Sequence, residues 1–166
     1  AVIFGATGGV MEAALRTAND WLTGKDNTDT AFTALRGTQG LKQATVNING
    51  SDIKVAVASG AAAAKVVMDK LKAGNPDGWT FIEIMGCPSG CINGGGQPFR
   101  FDLGEDYIDK RRSVLYKEDE NLPKRLSHHN EDVQKLYKDF LGEPGSYKAH
   151  ELLHTHYVAR EQLPKK

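Results

Sequence analysis

Cysteine is scarce in this chain: the 166 residues hold two, Cys87 and Cys91. Two cysteines exclude the disulfide framework that staples small secreted domains, so the fold must rest on burial. Neither sign of charge is in surplus, because Lys plus Arg and Asp plus Glu each number 21. No net field draws the chain to nucleic acid or to an anionic membrane, and we expect neither as a partner. Long apolar runs are missing too, and with them a membrane-spanning helix, which needs about 18 or more such residues. The N-terminus lacks the basic start and apolar core of a signal peptide. An initiator methionine is also lacking, and the chain opens at Ala1 inside a segment, Ala1 to Phe4, that reads as a strand. This suggests a fragment, or one part of a longer polypeptide.

What remains is an ordinary globular balance, 40% hydrophobic and 25% charged, enough for one core with an appendage. Strand, Gly-rich turn and helix are expected across Ala1–Phe4, Gly5–Gly9 and Val10–Arg16. The polar, Thr-rich stretch from Trp21 to Gly40 reads as connecting structure. Ala44–Ile48 and Ile53–Val57 alternate on either side of Asn49–Gly50, the strongest short hairpin signal. Ser59 is placed to cap a helix through Ala61–Leu71, with Gly74 beyond its end. Trp79–Ile84 reads as a strand that delivers Met85 and Cys87 at its carboxyl end, where open α/β sheets place ligands. Phe99–Leu103 reads as extended and Tyr107–Lys117 as helical. No glycine occurs between Glu105 and Leu141, and all five histidines follow Lys117. Asn130 caps a stripe of Val133, Leu136, Tyr137, Phe140 and Leu141, a helix that must pack on something to persist. His128 and His129 are expected to help cap it. The fold class is therefore α/β over residues 1–105, a mixed sheet flanked by helices, followed by an α-helical tail over residues 106–166.

The chemistry concentrates in Met85–Pro98, Met-Gly-Cys-Pro-Ser-Gly-Cys-Ile-Asn-Gly-Gly-Gly-Gln-Pro. Thiolates are soft ligands suited to iron, zinc or copper(I), and glycines let a backbone approach whatever the thiolates hold. Cys87 and Cys91 are thus candidate metal ligands. A disulfide, or two inert thiols in a Gly-rich turn, is the alternative that spacing leaves open.

Two further motifs compete. Gly5-Ala-Thr-Gly8-Gly9 between strand and helix resembles a nucleotide-binding turn. It lacks the spacing G-x-G-x-x-G, and the acidic residue wanted downstream would have to be Asp20, Asp26 or Asp29 in a polar stretch. His150-Glu151-Leu152-Leu153-His154 fits the zinc-peptidase pattern H-E-x-x-H, in which Glu151 would serve as base. Only 12 residues follow His154, and among them only His156 and Glu161 could be a third ligand. Packing of Leu152 and Leu153 at a helix end, with the histidines capping or pairing, accounts for the same residues.

The string Met-x-Cys-x-x-Gly-Cys-x-x-Gly-Gly-Gly-Gln-Pro resembles the third signature of the iron-only hydrogenases, with Gly86 where that family usually has Ala. Ile3-Phe-Gly-Ala-Thr-Gly-Gly-Val-Met-Glu-Ala-Ala-Leu-Arg16 resembles a second block of the same family. Leu115-Tyr116, Leu122-x-x-Arg125-x-Ser127-His128, Leu136-Tyr137, Phe140-Leu-Gly142 and His150-x-Leu-Leu-His154 resemble its small-subunit-like tail, here fused and expected to wrap the catalytic domain. The resemblance implies one lobe of a catalytic domain that reversibly reduces protons to hydrogen at an H-cluster. That cofactor is a 4Fe-4S cubane bridged to a di-iron unit with CO, cyanide and dithiolate ligands. It implies Cys87 as a cubane ligand, Cys91 as the bridging ligand, and Met85, Phe4 and Gly5 as walls of the di-iron site. Gly94, Gly95, Gly96 and Gln97 would form the closely approaching backbone. No side chain supplies such chemistry, so the cofactor carries it while the protein positions and shields it.

A cubane takes about four cysteines, so the resemblance also implies that an upstream segment or partner chain carries the other ligands. The isolated chain would then be inactive. An electron carrier such as ferredoxin and a cytoplasmic location in an anaerobic microbe are implied as well. A non-enzymatic, hydrogenase-like iron-sulfur protein is the alternative within the family.

Overall fold

The structure, a computed structural model, describes residues 2–26, 31–37, 40–98 and 106–159. The chain forms two compact units, Ala1–Ser127 and His128–Lys166. The first unit contains helix α1 (Gly9–Thr23), strands β1 (Leu41–Ile48) and β2 (Ser51–Ser59), helix α2 (Ala61–Lys72), strand β3 (Phe81–Met85) and helix α3 (Tyr107–Asn121). The second contains α4 (Glu131–Leu136), a π-helical turn (Tyr137–Leu141) and α5 (Tyr147–Leu153).

The sheet has the order β1-β2-β3, antiparallel between β1 and β2 and parallel between β2 and β3. This is the mixed sheet expected of the α/β reading. Asn49 and Gly50 both have positive φ, 50° and 82°, the conformation a two-residue hairpin turn requires. Because side chains alternate along a strand, β2 divides its residues between two cores. Val55 and Val57 pack with Val46, Ile48, Leu35, Met11 and Leu15 of α1 on one face. Ala56 and Ala58 pack with Ala63 and Val67 of α2 and with Trp79 on the other. The small alanines on that face let α2 approach closely.

The same alternation turns Lys42 toward the α1 face. Its buried ammonium donates to the carbonyls of Thr7 (3.3 Å), Leu35 (2.5 Å) and Gly37 (3.2 Å). Burial, with Arg112 adding to it and Glu83 opposing it, lowers the Lys42 pKa to about 8. A third core joins Ile3, Ala6, Ala13, Ile92 and Tyr116, tying the N-terminal turn to α3. Beside it lies a buried ion network. Arg16 pairs with Glu12 (2.9 Å) and Asp119 (2.9 Å), and Arg36 with Glu12 (2.7 Å). Burial pushes the Glu12 carboxyl up, but Arg36 and Arg16 outweigh it and hold the group below its ordinary value.

Several expectations change. Val2–Gly5 is a 3-10 turn instead of a strand, because the chain bends back at once onto α1. A Cβ at Gly9 would fall 1.8 Å from the Ile3 carbonyl oxygen, so only glycine permits that bend. Ser59 does not cap α2: the N-cap is Gly60, and the Ser59 hydroxyl instead accepts from the backbone N–H of Ser89 at 2.6 Å. Among the described residues between Trp21 and Gly40, α1 runs through Thr23 and a 3-10 turn covers Thr33–Leu35, more regular structure than expected.

In the second unit Asn130 caps α4 by accepting from the Asp132 N–H at 2.9 Å. The expected helix of about three turns is divided into α4 and the π-turn, closed by Gly142 N–H donating to Tyr137 C=O. Leu141 is buried, while Val133, Leu136 and Phe140 are exposed. The expected extended segment Phe99–Leu103 and the 105/106 junction lie outside the described residues, as do Asp29 and Glu161.

Candidate metal centre

Glycine and proline shape the cysteine loop. Beyond β3, Cys87-Pro88-Ser89-Gly90 forms a tight turn closed by Gly90 N–H to Cys87 C=O at 3.0 Å. Pro88 suits the second position of such a turn, and the third requires positive φ, normally a glycine position. Ser89 takes it here with φ 65°. Two bonds hold this strained residue: its N–H donates to Ser59 Oγ, and its carbonyl accepts from Thr7 N–H at 3.2 Å. Cys91–Asn93 then makes a 3-10 turn.

Gly90 is where the pieces meet. Its φ of 92° and ψ of −165° belong to a region essentially restricted to glycine. A Cβ there would lie 2.7 Å from Gly5 O, 2.8 Å from Thr7 N and 2.9 Å from Met85 Sδ. The fold therefore brings Gly5 and Met85 together beside the cysteine loop. Cys87 and Cys91 are free, exposed thiols on that loop. Phe4 is 42% exposed, so its ring is not simply core. Gly95, Gly96 and Gln97 are exposed, and nothing lies within 4 Å of a Cβ built at Gly86, Gly95 or Gly96. Two soft donors beside an open glycine cradle fit an iron-sulfur group in donor type and access, and fall two short of a cubane's four protein ligands.

Residues outside the signatures hold this arrangement. Glu83, the single charge in β3, accepts from Gly8 N–H and Met11 N–H, both at 2.7 Å. It thereby caps α1 from the strand and fixes the Phe4–Thr7 turn relative to Met85. Carboxylates at helix N-termini are favoured by the dipole, and leaving those two donors unmet would cost about 1–3 kcal/mol each. From α3, Arg111 donates to Ile92 C=O at 2.8 Å and Tyr107 OH to Asn93 Oδ1 at 2.9 Å. The sequence offered one signal for these, the lone acid in an apolar strand. Arg111 and Tyr107 carried none.

The histidine motif looks different. His150 lies on the seven-residue α5, His154 is its C-cap, and their rings stack with centroids 4.3 Å apart. Among the described residues they join no group of three metal-binding side chains. Asn130 supplies the side-chain cap of α4, as expected, and the His128 carbonyl accepts from Gln134 Nε2 at 2.8 Å.

Residues 1–95 match the family described as iron only hydrogenase large subunit, C-terminal domain, and residues 105–160 match iron hydrogenase small subunit. The NADP-reducing hydrogenase subunit HndD of Solidesulfovibrio fructosivorans is 45% identical over 98% of this chain and 27% of its own length. Iron hydrogenase 1 of Clostridium pasteurianum is 46% identical over 93% of this chain and 27% of its own length. A probable cytosolic Fe-S cluster assembly factor of Drosophila grimshawi is 34% identical over 95% of this chain and 33% of its own length. The structure of an apo FeFe-hydrogenase variant from Chlamydomonas reinhardtii superimposes with a TM-score of 0.69 at 39% identity, over 94% of this chain and 45% of that one. The chain thus spans between a quarter and a third of the length of these curated relatives. No helix among the described residues is long and apolar enough to cross a membrane. This chain belongs to the iron-only hydrogenase family, as a stretch of the C-terminal domain found in its large subunits, joined to a segment like its small subunits.

Proposed function

We propose that this chain forms one side of the H-cluster pocket of an iron-only hydrogenase that interconverts protons and hydrogen. The observation that carries the proposal is the pair of free thiols, Cys87 and Cys91, on a glycine-rich loop beside Gly5 and Met85. Cys87 would bind the cubane, and Cys91 would bind the cubane and bridge it to the di-iron unit. When bound, that cofactor supplies the electron transfer and hydrogen chemistry that side chains lack. Met85, Phe4 and Gly5 would wall the di-iron side and exclude water. Gly94–Gly96 and Gln97 would present backbone at close range. Residues 1–105 form the catalytic lobe and 106–166 the tail in this reading.

Two thiolates leave a cubane half-held, so a segment or partner chain with two more cysteines completes the site, and a carrier such as ferredoxin supplies electrons. A cytoplasmic location belongs to the same proposal. A relative at 56% identity over 76% of this chain is named a periplasmic hydrogenase large subunit, and fractionation of the source cells decides between the compartments.

The likeness to a cluster assembly factor supports a second reading, an iron-sulfur protein without hydrogen chemistry. The higher identity to hydrogenases and the Met85 thioether at the loop favour the first. Anaerobic reconstitution with iron and sulfide tests the ligand count. The chain alone should retain well under four irons, and supply of the completing cysteines should raise this to about four. Four tightly held irons on the chain alone would overturn the shared-ligand proposal.

A further inference from the structure

Resting on the reading of Met85 as a wall of the cofactor site, we propose that Thr7 and Ser59 are positioning residues for its thioether, acting through a directed chain of hydroxyls. Thr7 Oγ1 lies 3.5 Å from Met85 Sδ and 3.3 Å from Ser59 Oγ. Sulfur in a thioether only accepts, so the Thr7 proton points at Sδ. The Thr7 oxygen must then accept from Ser59, and Ser59 in turn accepts from Ser89 N–H at 2.6 Å. Each hydroxyl has one proton, so the direction is fixed from end to end: Ser89 N–H to Ser59, Ser59 to Thr7, Thr7 to Met85. The chain starts at the strained residue of the cysteine turn and ends on the sulfur.

The surroundings make the arrangement specific. Thr7 is 2% exposed, so no water competes for its proton. Gly90 offers no side chain where Sδ packs, and the Met85 carbonyl accepts from Gly60 N–H at 2.8 Å, fixing the backbone below. Methionine is otherwise the most adaptable apolar side chain, with three rotatable bonds. A donor aimed at its sulfur selects one rotamer from that set. Thr7 thus couples the Phe4–Thr7 turn, the start of α2 and the cysteine loop to the orientation of one atom.

The chain has three methionines, Met11, Met68 and Met85. Methyl-labelled methionine therefore gives three NMR signals, with buried Met11 reporting the core and exposed Met68 the rotamer-averaged position. Thr7→Val, which keeps the shape and removes the hydroxyl, should move the Met85 methyl toward the Met68 position and leave Met11 unchanged. Thr7→Ser should restore it. Oxidation of Met85 by dilute peroxide should rise about threefold in Thr7→Val, the change expected when one weak neutral hydrogen bond is lost. An unmoved Met85 signal in a folded Thr7→Val would overturn the proposal. Should that variant not fold, the wild-type chain decides. A slowly exchanging Thr7 hydroxyl proton with a cross-relaxation peak to the Met85 methyl supports the chain, and its absence overturns it. In the complete, cofactor-loaded protein the CO stretching frequencies should shift in Thr7→Val and return in Thr7→Ser. Unshifted frequencies with a displaced methyl would leave the hydroxyl chain standing and refute Met85 as a wall of the site.

Discussion

Gly90→Ala should lower the stability of the apo chain by about 2–6 kcal/mol, or prevent the cysteine loop from closing. Two costs add. An L-residue at this φ and ψ costs on the order of 1–3 kcal/mol in backbone strain. A methyl group forced within 2.7–2.9 Å of Gly5 O, Thr7 N and Met85 Sδ adds an overpacking cost of about 1–3 kcal/mol. Two of the three obstructing atoms are backbone, so no side-chain rotation relieves the clash. The loop would have to withdraw, breaking the bonds from Thr7 N–H to Ser89 and from Ser89 N–H to Ser59. Gly95→Ala is the control, because a Cβ there meets nothing within 4 Å. Apo stability should stay within about 0.5 kcal/mol, as for surface changes generally, while iron retention falls if that backbone meets the cofactor. Denaturant unfolding and iron analysis of the two variants give both readouts. Equal destabilisation would show that Gly90 is not the closure point.

The second large effect concerns the two thiolates, which the proposal makes unequal. Cys91 lies between Gly90, packed against the N-terminal turn, and Ile92, whose carbonyl is held by Arg111. Its backbone is fixed from both sides. Cys87 opens the turn, next to Gly86, where a Cβ would find open space. In the complete protein, Cys91→Ser should therefore abolish the CO and cyanide infrared bands of the di-iron unit and all hydrogen evolution, while part of the cubane signal persists in electron paramagnetic resonance. Cys87→Ser should weaken the cubane signal first. Retained di-iron bands in Cys91→Ser, with their loss in Cys87→Ser, would reverse the assignment.

Local rules succeeded where local forces decide. Asn49–Gly50 announced the hairpin because a two-residue turn needs positive φ twice, and Asn130 announced its cap through one short-range bond. They failed where distant groups compete. The apolar run at Ile3 and Phe4 suits a strand or a buried turn equally, and close packing of Gly9 on the Ile3 carbonyl settles it as a turn. Ser59 stands where a cap belongs, but its hydroxyl is taken by Ser89, 30 residues away. The cysteine loop was legible because its chemistry is in the residue types. Its supports were not, because Thr7, Ser59 and Arg111 acquire their roles only when β3, α1 and α3 converge.

That convergence rests on side-chain donors and acceptors set at strand and helix ends, with Glu83 joining α1 to β3 and Arg111 joining α3 to the cysteine loop. Both lie outside the cysteine signature, yet each fixes backbone within a few residues of Met85 or Cys91. In the proposed function, this scaffold presents half of a hydrogen-converting site.

Hydrogen evolution from a reduced viologen dye, measured on two anaerobic preparations, tests this division of the site. One is the chain reconstituted alone; the other is the chain supplied with the segment carrying the completing cysteines and with the cofactor maturation machinery. Hydrogen is expected only from the second. Hydrogen above a cofactor-only control from the chain alone would contradict the division of the site, and none from a fully iron-loaded second preparation would contradict the hydrogenase reading itself.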